Sequence, residues 1–265
     1  MALPQIDSTL VVVAAGVDPG GGAGLLRDLA TVRTLGARAH GIETAGTEQG
    51  AELHRVDPRT PDSVGRALAE AIATLRPGAV KIGMAVGPAT AAALVEGLGG
   101  YPGPVVVDPV LASSRGGPLW AGPLRDLLPL LRRATVVTPN AGEVAALAGL
   151  PVTTSRDAER AGRRLVDRDG LRAVLVKGGH LAGSEGDVAD LLVTAAAVER
   201  FPRARVAGPI PRGTGCALAS ALAVMLALGL PLAQAVREAG DWLAPLLAAP
   251  IAVGDEWHLP DGGRD

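Results

Sequence analysis

The sequence predicts a three-layer α/β/α sandwich around a mostly parallel central sheet. Short apolar, β-branched runs alternate with longer helical patterns along the chain, which is the order of repeated β-α-β units. The runs do not alternate polar with apolar residues, so they are typical of strands that are buried on both faces. The predicted strands cover residues 10–15, 39–44, 79–82, 105–107, 135–137 and 173–176.

The helices between these strands are predicted from their periodicity and from their first residues. One is expected over 22–35 and another over 61–75, where Thr60 can cap and Pro61 suits the first turn. Residues 217–236 carry no charge over about the length of a membrane span. Polar and helix-breaking residues interrupt this segment, which favours a buried helix. Two short strand-like runs within 187–206 predict an edge strand or a hairpin. No linker is evident in the sequence, so we expect one domain over 1–265.

Composition limits the classes of partner. The formal net charge is −2, and Lys81 and Lys177 are the only lysines among 265 residues. No dense basic block is present, which argues against nucleic acid and anionic membranes and favours a small molecule. A single cysteine excludes an intramolecular disulfide and a multi-cysteine metal site. The first residues lack a basic leader, so we expect a cytoplasmic protein.

A glycine-rich loop over residues 16–24 follows the first strand. Glycines let the backbone approach a ligand closely, and the next helix offers free N–H donors; a flexible turn capped by Asp18 explains the pattern equally well. The Gly-x-Gly-x-x-Gly spacing of dinucleotide-binding proteins is incomplete here, and the chain has no Walker A motif.

A second glycine-bearing segment, Gly213, Thr214, Gly215 and Cys216, opens the uncharged helix. The unpaired amides and the positive dipole end of such a helix entry favour an anion. A thiol placed there can be acidified, and its thiolate could accept a proton from a substrate hydroxyl. The alternative is that Cys216 is a small buried hydrophobe.

Four further polar residues follow strand ends or stand close after them. Asn140 and Glu143 have the spacing of a capping box, and Glu143 could instead lie near Mg²⁺. Lys177 could reach nucleotide phosphates or be a surface lysine, and Asp108 closes the strand at 105–107. Because the carboxyl ends of parallel strands share one edge, we expect these groups to meet there.

The motifs occur in an order that resembles one family. They are Ala15-Gly16-x-Asp18-Pro19-x-Gly21-Gly22-Ala23-Gly24, Lys81-Ile82-Gly83-Met84, Asp108-Pro109-Val110, Thr138-Pro139-Asn140-x-x-Glu143, Lys177-Gly178-Gly179-His180 and Gly213-Thr214-Gly215-Cys216. Together they resemble the hydroxymethylpyrimidine/phosphomethylpyrimidine kinases of the ribokinase-like superfamily. Cys216 stands where most relatives of that superfamily carry an aspartate base. In this respect the chain resembles the branch that contains pyrimidine kinases and some pyridoxal kinases.

The resemblance implies ATP as phosphoryl donor, Mg²⁺ as cofactor and a homodimer. It implies that Gly16, Asp28 and Gln49 hold the polar edge and hydroxymethyl group of the pyrimidine, that Met84 packs on the ring, and that Ala112 slightly enlarges the pocket.

For the phosphates, the resemblance implies that Asp108 and Glu143 serve Mg²⁺. Lys177, Asn140 and Asp108 would serve the nucleotide. The Gly213, Thr214 and Gly215 amides would hold the transferring group, with Cys216 as catalytic base.

Arg212 departs from the family pattern, which has histidine at this place before Gly-Thr-Gly-Cys. We hypothesise that Arg212 tightens the binding of a phosphorylated substrate or lowers the pKa of Cys216. Three rival functions remain open: a pyridoxal-type kinase, a non-catalytic sensor of the pyrimidine phosphate, and a nicotinamide-binding oxidoreductase, which the incomplete glycine pattern disfavours.

Overall fold

The computed structural model describes residues 8–49, 53–180 and 187–260. Nine strands form one sheet in the order β3-β2-β1-β4-β5-β6-β7-β8-β9. The six strands from β2 to β7 in this order are parallel, and β3, β8 and β9 add antiparallel edges. The strands are β1 Leu10–Val17, β2 Arg38–Gln49, β3 Leu53–Pro58, β4 Ala79–Ile82, β5 Val105–Val107, β6 Val136–Val137, β7 Ala173–Val176, β8 Asp187–Thr194 and β9 Val198–Ala204.

Helices cover both faces of this sheet. Helices α2 to α6 pack on one face of the sheet, and α1, α7 and α8 pack on the other. One apolar cluster lies between the sheet and each of these two helix layers. The sandwich and its parallel centre confirm the predicted fold class. The helices are α1 Gly24–Thr34, α2 Pro61–Leu75, α3 Pro88–Leu98, α4 Leu128–Arg133, α5 Ala141–Ala148, α6 Ser155–Asp167, α7 Thr214–Ala227 and α8 Leu232–Ala248.

Alternation along the strands decides which side chain enters which layer. In β4, Val80 and Ile82 join the cluster under α2 to α6, whereas Ala79 joins the cluster under α1 and α7. Successive side chains of a strand point to opposite faces, so Lys81 enters the second layer, among apolar residues. This placement puts a charged group directly beneath α1 and α7.

Several sequence predictions need correction. The uncharged segment 217–236 is not one helix, because α7 ends at Ala227 and α8 begins at Leu232 after Pro231. Thr60 precedes α2 as expected but makes no side-chain capping bond. The predicted hairpin within 187–206 is confirmed by the pairing of β8 with β9. Among the described residues, no helix is long and apolar enough to cross a membrane.

Three strands were not predicted. The edge strand β3 pairs antiparallel with β2, and a small separate hairpin is formed by β10 Ile251–Val253 and β11 Glu256–His258. The side chains of β10 are exposed, so this strand lacks the buried apolar pattern by which the central strands were found. That the chain forms a single domain over 1–265 stays a prediction.

Candidate active site

Polar groups collect where the parallel strands end, as expected. Asp108 follows β5, Asn140 follows β6, and Lys177 follows β7. The strand-like bridge between Asn140 and Lys177 joins the last two positions. The entry of α7 lies beside them, since a Cβ atom added to Gly215 would be 3.0 Å from the Lys177 ammonium nitrogen.

A buried ion pair lies at the centre of this edge. Lys177 Nζ is 2.7 Å from Asp108 Oδ1, which also accepts a hydrogen bond of 3.2 Å from the Thr138 hydroxyl. Burial alone would raise the pKa of Asp108, but Lys177 and then Lys81 outweigh burial and lower it. Burial opposes the charge of Lys177 in the same way, and Asp108 and Glu143 together raise its pKa. Both groups are therefore charged at neutral pH.

Glu143 forms the predicted cap of α5 and also lies near Lys177, while its place near Mg²⁺ stays a prediction. It forms the capping box of α5, because its Oε2 accepts from the Asn140 amide at 2.7 Å and Asn140 Oδ1 accepts from the Glu143 amide at 2.9 Å. The same carboxylate is 4.0 Å from Lys177 Nζ. Burial raises the pKa of Glu143 to about 7, with Lys177 opposing and Asp108 adding to the increase. The cap is confirmed, and the nearby ammonium brings the carboxylate into the polar cluster.

The donor set suits Mg²⁺ only when phosphate and water supply most ligands. No group of three or more His, Cys, Asp or Glu side chains within the described residues could hold a metal by itself. Asp108 and Glu143 are two carboxylates that both lie near Lys177. Mg²⁺ commonly binds through one or two carboxylates together with substrate phosphates, so these residues fit that mode.

The entry of α7 is built from close backbone contacts. Gly213 adopts φ +73°, and a Cβ atom there would overlap the carbonyl oxygen of Gly22. Only glycine meets both conditions without strain. The amides of Thr214, Gly215 and Cys216 form the first turn and have no preceding helical carbonyl to bond. All three residues are partly exposed, so an anion can reach these donors.

The expected acidification of Cys216 is wrong for this structure. Burial raises the pKa of the thiol to about 12; the Asp28 and Asp108 carboxylates act in the same direction, while Lys81 and a hydrogen bond from the Gly24 amide oppose them. The thiol is therefore protonated at neutral pH. Burial and two carboxylates from distant parts of the chain thus outweigh the effect of the helix end on the sulfur.

Asp28 is not placed to contact a substrate directly, contrary to expectation. Its side chain and that of Lys81 are both 0% exposed, and Lys81 Nζ is 2.6 Å from Asp28 Oδ2. Ser220 donates a bond of 2.8 Å to the other carboxylate oxygen. Ser220 lies one turn after Cys216 on α7, so the pair supports the helix that carries the thiol. Sequence reasoning missed Ser220 and gave Lys81 no role, although its rarity singled it out.

The predicted substrate residues are only partly assembled. Gly16 abuts Met84, because a Cβ atom on Gly16 would lie 2.6 Å from the Met84 sulfur. Met84 belongs to a small apolar cluster beside the edge. Ala112 is exposed and bridges to Pro118 in the loop after β5. Gln49 ends β2, and its side chain lies outside the described part of the structure.

Arg212 forms ion pairs with two carboxylates. Its guanidinium lies 3.0 Å from Asp18 Oδ2 and 3.2 Å from Glu256 Oε2. The lowered Cys216 pKa, one of the two effects expected of Arg212, is not found, because burial raises the pKa of that thiol to about 12. Tighter binding of a phosphorylated substrate, the other expected effect, stays a prediction. Arg212 instead joins the glycine-rich loop to the C-terminal hairpin.

Comparison with known proteins identifies the family. The family model described as phosphomethylpyrimidine kinase matches residues 18–260 of the chain. The chain belongs to the phosphomethylpyrimidine kinase family. A hydroxymethylpyrimidine/phosphomethylpyrimidine kinase from Rhizobium meliloti is 35% identical, over 96% of this chain and 95% of that protein. The resemblance drawn from the motifs is thereby confirmed.

Solved structures agree with this family. Phosphomethylpyrimidine kinase from Clostridium difficile superposes with a TM-score of 0.75 at 28% identity, covering 89% of this chain and 98% of that chain. Pyridoxal kinase from Staphylococcus aureus, in complex with AMP-PCP and pyridoxal, superposes with a TM-score of 0.84 at 26% identity, covering 96% and 94%. Both confirm the ribokinase-like fold, and the second carries an ATP analogue.

Proposed function

We propose that this phosphomethylpyrimidine kinase family member transfers the γ-phosphoryl group of ATP to 4-amino-5-hydroxymethyl-2-methylpyrimidine and then to its monophosphate, giving the diphosphate used in thiamine biosynthesis. The observation that carries this proposal is the position of Cys216. It follows the Gly213–Gly215 amides, and those amides adjoin the Lys177–Asp108 pair. The groups that would serve as base, anion hole and cation therefore lie together at one sheet edge.

Each group has a role in the transfer. The first-turn amides of α7 would hold the transferring phosphoryl group, and Lys177 would neutralise charge that develops on its oxygens. As the substrate hydroxyl oxygen forms its bond to the γ-phosphorus, the bond to the β,γ-bridging oxygen breaks and ADP leaves. Cys216 would accept the hydroxyl proton on its sulfur.

The raised pKa of Cys216 bears on the timing of this step. A protonated thiol cannot act as a base, so the thiolate must form after the ligands bind. Loss of the Gly24 hydrogen bond or of the Lys81 charge would make that harder, since both stabilise the thiolate. Asp108, Glu143 and Asn140, which adjoin Lys177, would hold the magnesium-nucleotide complex. When bound, Mg²⁺ would neutralise phosphate charge.

On the substrate side, Gly16 and Met84 would form the surface against which the flat ring packs. A larger residue at Gly16 would force the Met84 side chain to move, because an added Cβ would lie 2.6 Å from its sulfur. The roles of Gln49 and Ala112 stay predictions that rest on the resemblance. The homodimer and the cytoplasmic location likewise stay predictions, the first testable by sedimentation.

The second candidate is a pyridoxal kinase. The Staphylococcus aureus enzyme that binds pyridoxal superposes on 96% of this chain, and its substrate is also a hydroxymethylated nitrogen ring. The curated relative from Rhizobium meliloti favours the pyrimidine.

The test is ADP release from Mg-ATP with hydroxymethylpyrimidine, its monophosphate and pyridoxal, measured in parallel. We expect turnover with both pyrimidines and loss of that turnover in Cys216→Ala. Turnover with pyridoxal alone would support the second candidate. Binding of the pyrimidine phosphate without any turnover would support a sensor instead.

A further inference from the structure

The C-terminal hairpin packs on the loops of the candidate active site. The Arg212 amide donates to the Trp257 carbonyl at 2.8 Å, just before the entry of α7. Arg27 of α1 donates to the Leu259 carbonyl at 3.0 Å. The His258 ring lies against Gly22, where an added Cβ atom would be 2.8 Å from Nε2. The last described strand therefore touches both glycine-bearing segments.

Glu256 in this hairpin is the shared partner of three donors. Arg115 forms an ion pair with its Oε2, Arg212 Nη1 lies 3.2 Å from the same oxygen, and His258 Nε2 lies 3.4 Å away. Burial alone would raise the pKa of Glu256, but Arg212, His258 and Arg115 outweigh burial and lower it. A charged carboxylate thus links the loop after β5 to the entry of α7.

Arg212 also contacts the glycine-rich loop and so connects Glu256 to it. Its Nη2 lies 3.0 Å from Asp18 Oδ2, while Asp18 Oδ1 accepts from the Gly20 amide at 3.1 Å. The Asp18 carbonyl accepts from the Gly21 amide at 3.0 Å. The side chains of Arg212 and Asp18 are only 10% and 4% exposed. Such enclosed pairs hold a defined geometry, unlike mobile surface pairs.

The loop fixed in this way reaches the reacting groups. Gly24 at its end donates toward the Cys216 sulfur, and Gly16 at its start abuts Met84. A shift of Asp18 would therefore move both the ring surface and a hydrogen bond to the thiol. Displacements of about 1 Å in such surroundings are costly to catalysis.

We propose that Glu256 is a positioning residue for phosphoryl transfer, acting through Arg212 and Asp18 on the glycine-rich loop and through Arg115 on the loop after β5. The expected effect on kcat/KM rests on the proposed function. The expected effect on the order of the glycine-rich loop does not depend on any activity.

The test compares Glu256→Gln with wild type and with Asp169→Asn. Gln keeps the size of Glu and removes its charge. Asp169 is the matched control because it forms a two-point pair with Arg168, at 2.9 and 2.7 Å, before β7 at the opposite edge of the sheet. We expect Glu256→Gln to lower kcat/KM for the pyrimidine about tenfold, with the KM for ATP changed less than twofold. Asp169→Asn should leave both values unchanged.

A second readout needs no substrate. Amide hydrogen exchange of residues 18–24 should be at least about fivefold faster in Glu256→Gln than in wild type, with no change in Asp169→Asn. Unchanged exchange in the folded Glu256→Gln protein would overturn the proposal, as would an equal loss of affinity for both substrates. If the wild-type enzyme turned over none of the pyrimidines, only the proposed function would be contradicted. The exchange measurement would still decide the role of Glu256.

Discussion

Replacing Lys81 by methionine tests the energetics of the buried pair beneath Cys216. The pair joins Lys81 Nζ to Asp28 Oδ2 at 2.6 Å with both side chains 0% exposed. The Asp28 carboxylate accepts one hydrogen bond from Lys81 and one from Ser220. The substitution removes the first of these and leaves the carboxylate in an apolar layer. Removing one member of a buried ion pair costs about 3–5 kcal/mol because it leaves an uncompensated charge.

The free energy of unfolding is measured by urea denaturation followed by circular dichroism. For a chain of this size each kcal/mol lowers Tm by about 2–4 °C, so we expect Lys81→Met to lower Tm by roughly 10 °C. The double variant Lys81→Met/Asp28→Leu removes both charges and should recover most of the loss, since an apolar pair of similar volume can replace a buried ion pair. Arg55→Met is the control, because its pair with Asp57 is 66% and 56% exposed.

The outcome that refutes this reasoning is additivity. If the double variant loses as much stability as the two single variants summed, the two charges do not compensate one another. A loss below about 1 kcal/mol in Lys81→Met would also contradict it, since that is the value of an exposed pair.

Three further predictions concern the site itself. Iodoacetamide should alkylate Cys216 slowly at pH 8 and faster toward pH 12, because the thiolate is the reactive form and burial raises the pKa of the thiol to about 12; a half-maximal rate near pH 8.5 would contradict this. Gly16→Ala should raise the KM for the pyrimidine about tenfold, with the KM for ATP unchanged, because the new Cβ would lie 2.6 Å from the Met84 sulfur and Met84 must move. Lys177→Met should lower kcat/KM for Mg-ATP by about 10²-fold or more, and a loss below threefold would exclude a phosphate contact.

The central strands could be predicted because each is buried on both faces. The limits of β4, β5 and β7 agree with the sequence prediction, because every residue of these strands is buried and all but Lys81 in β4 are apolar. The β10–β11 hairpin was missed because its first strand is exposed and only three residues long. Gly254 and Asp255 between two short runs were the available signal.

The candidate site was predicted in its members more than in its chemistry. Asp108, Lys177 and the entry of α7 meet because parallel strands end at one edge, which the order of elements already implies. The Asp28–Lys81 pair was not predicted, because it joins a residue of helix α1 to one inside strand β4, and the rule for strand ends does not cover such a contact. The position of Cys216 at a helix end predicts a lowered pKa. Burial and two carboxylates that are distant in the sequence raise the pKa instead, and neither effect is visible in the local sequence.

Product analysis by ³¹P NMR tests the central claim most directly. Wild-type protein is incubated with Mg-ATP and hydroxymethylpyrimidine, and the phosphorus signals of the products are followed beside those of Cys216→Ala. Our account predicts the monophosphate first and the diphosphate after it in wild type, with neither formed at a comparable rate in the folded variant. Undiminished formation of both products by Cys216→Ala would contradict the role of Cys216 as the base.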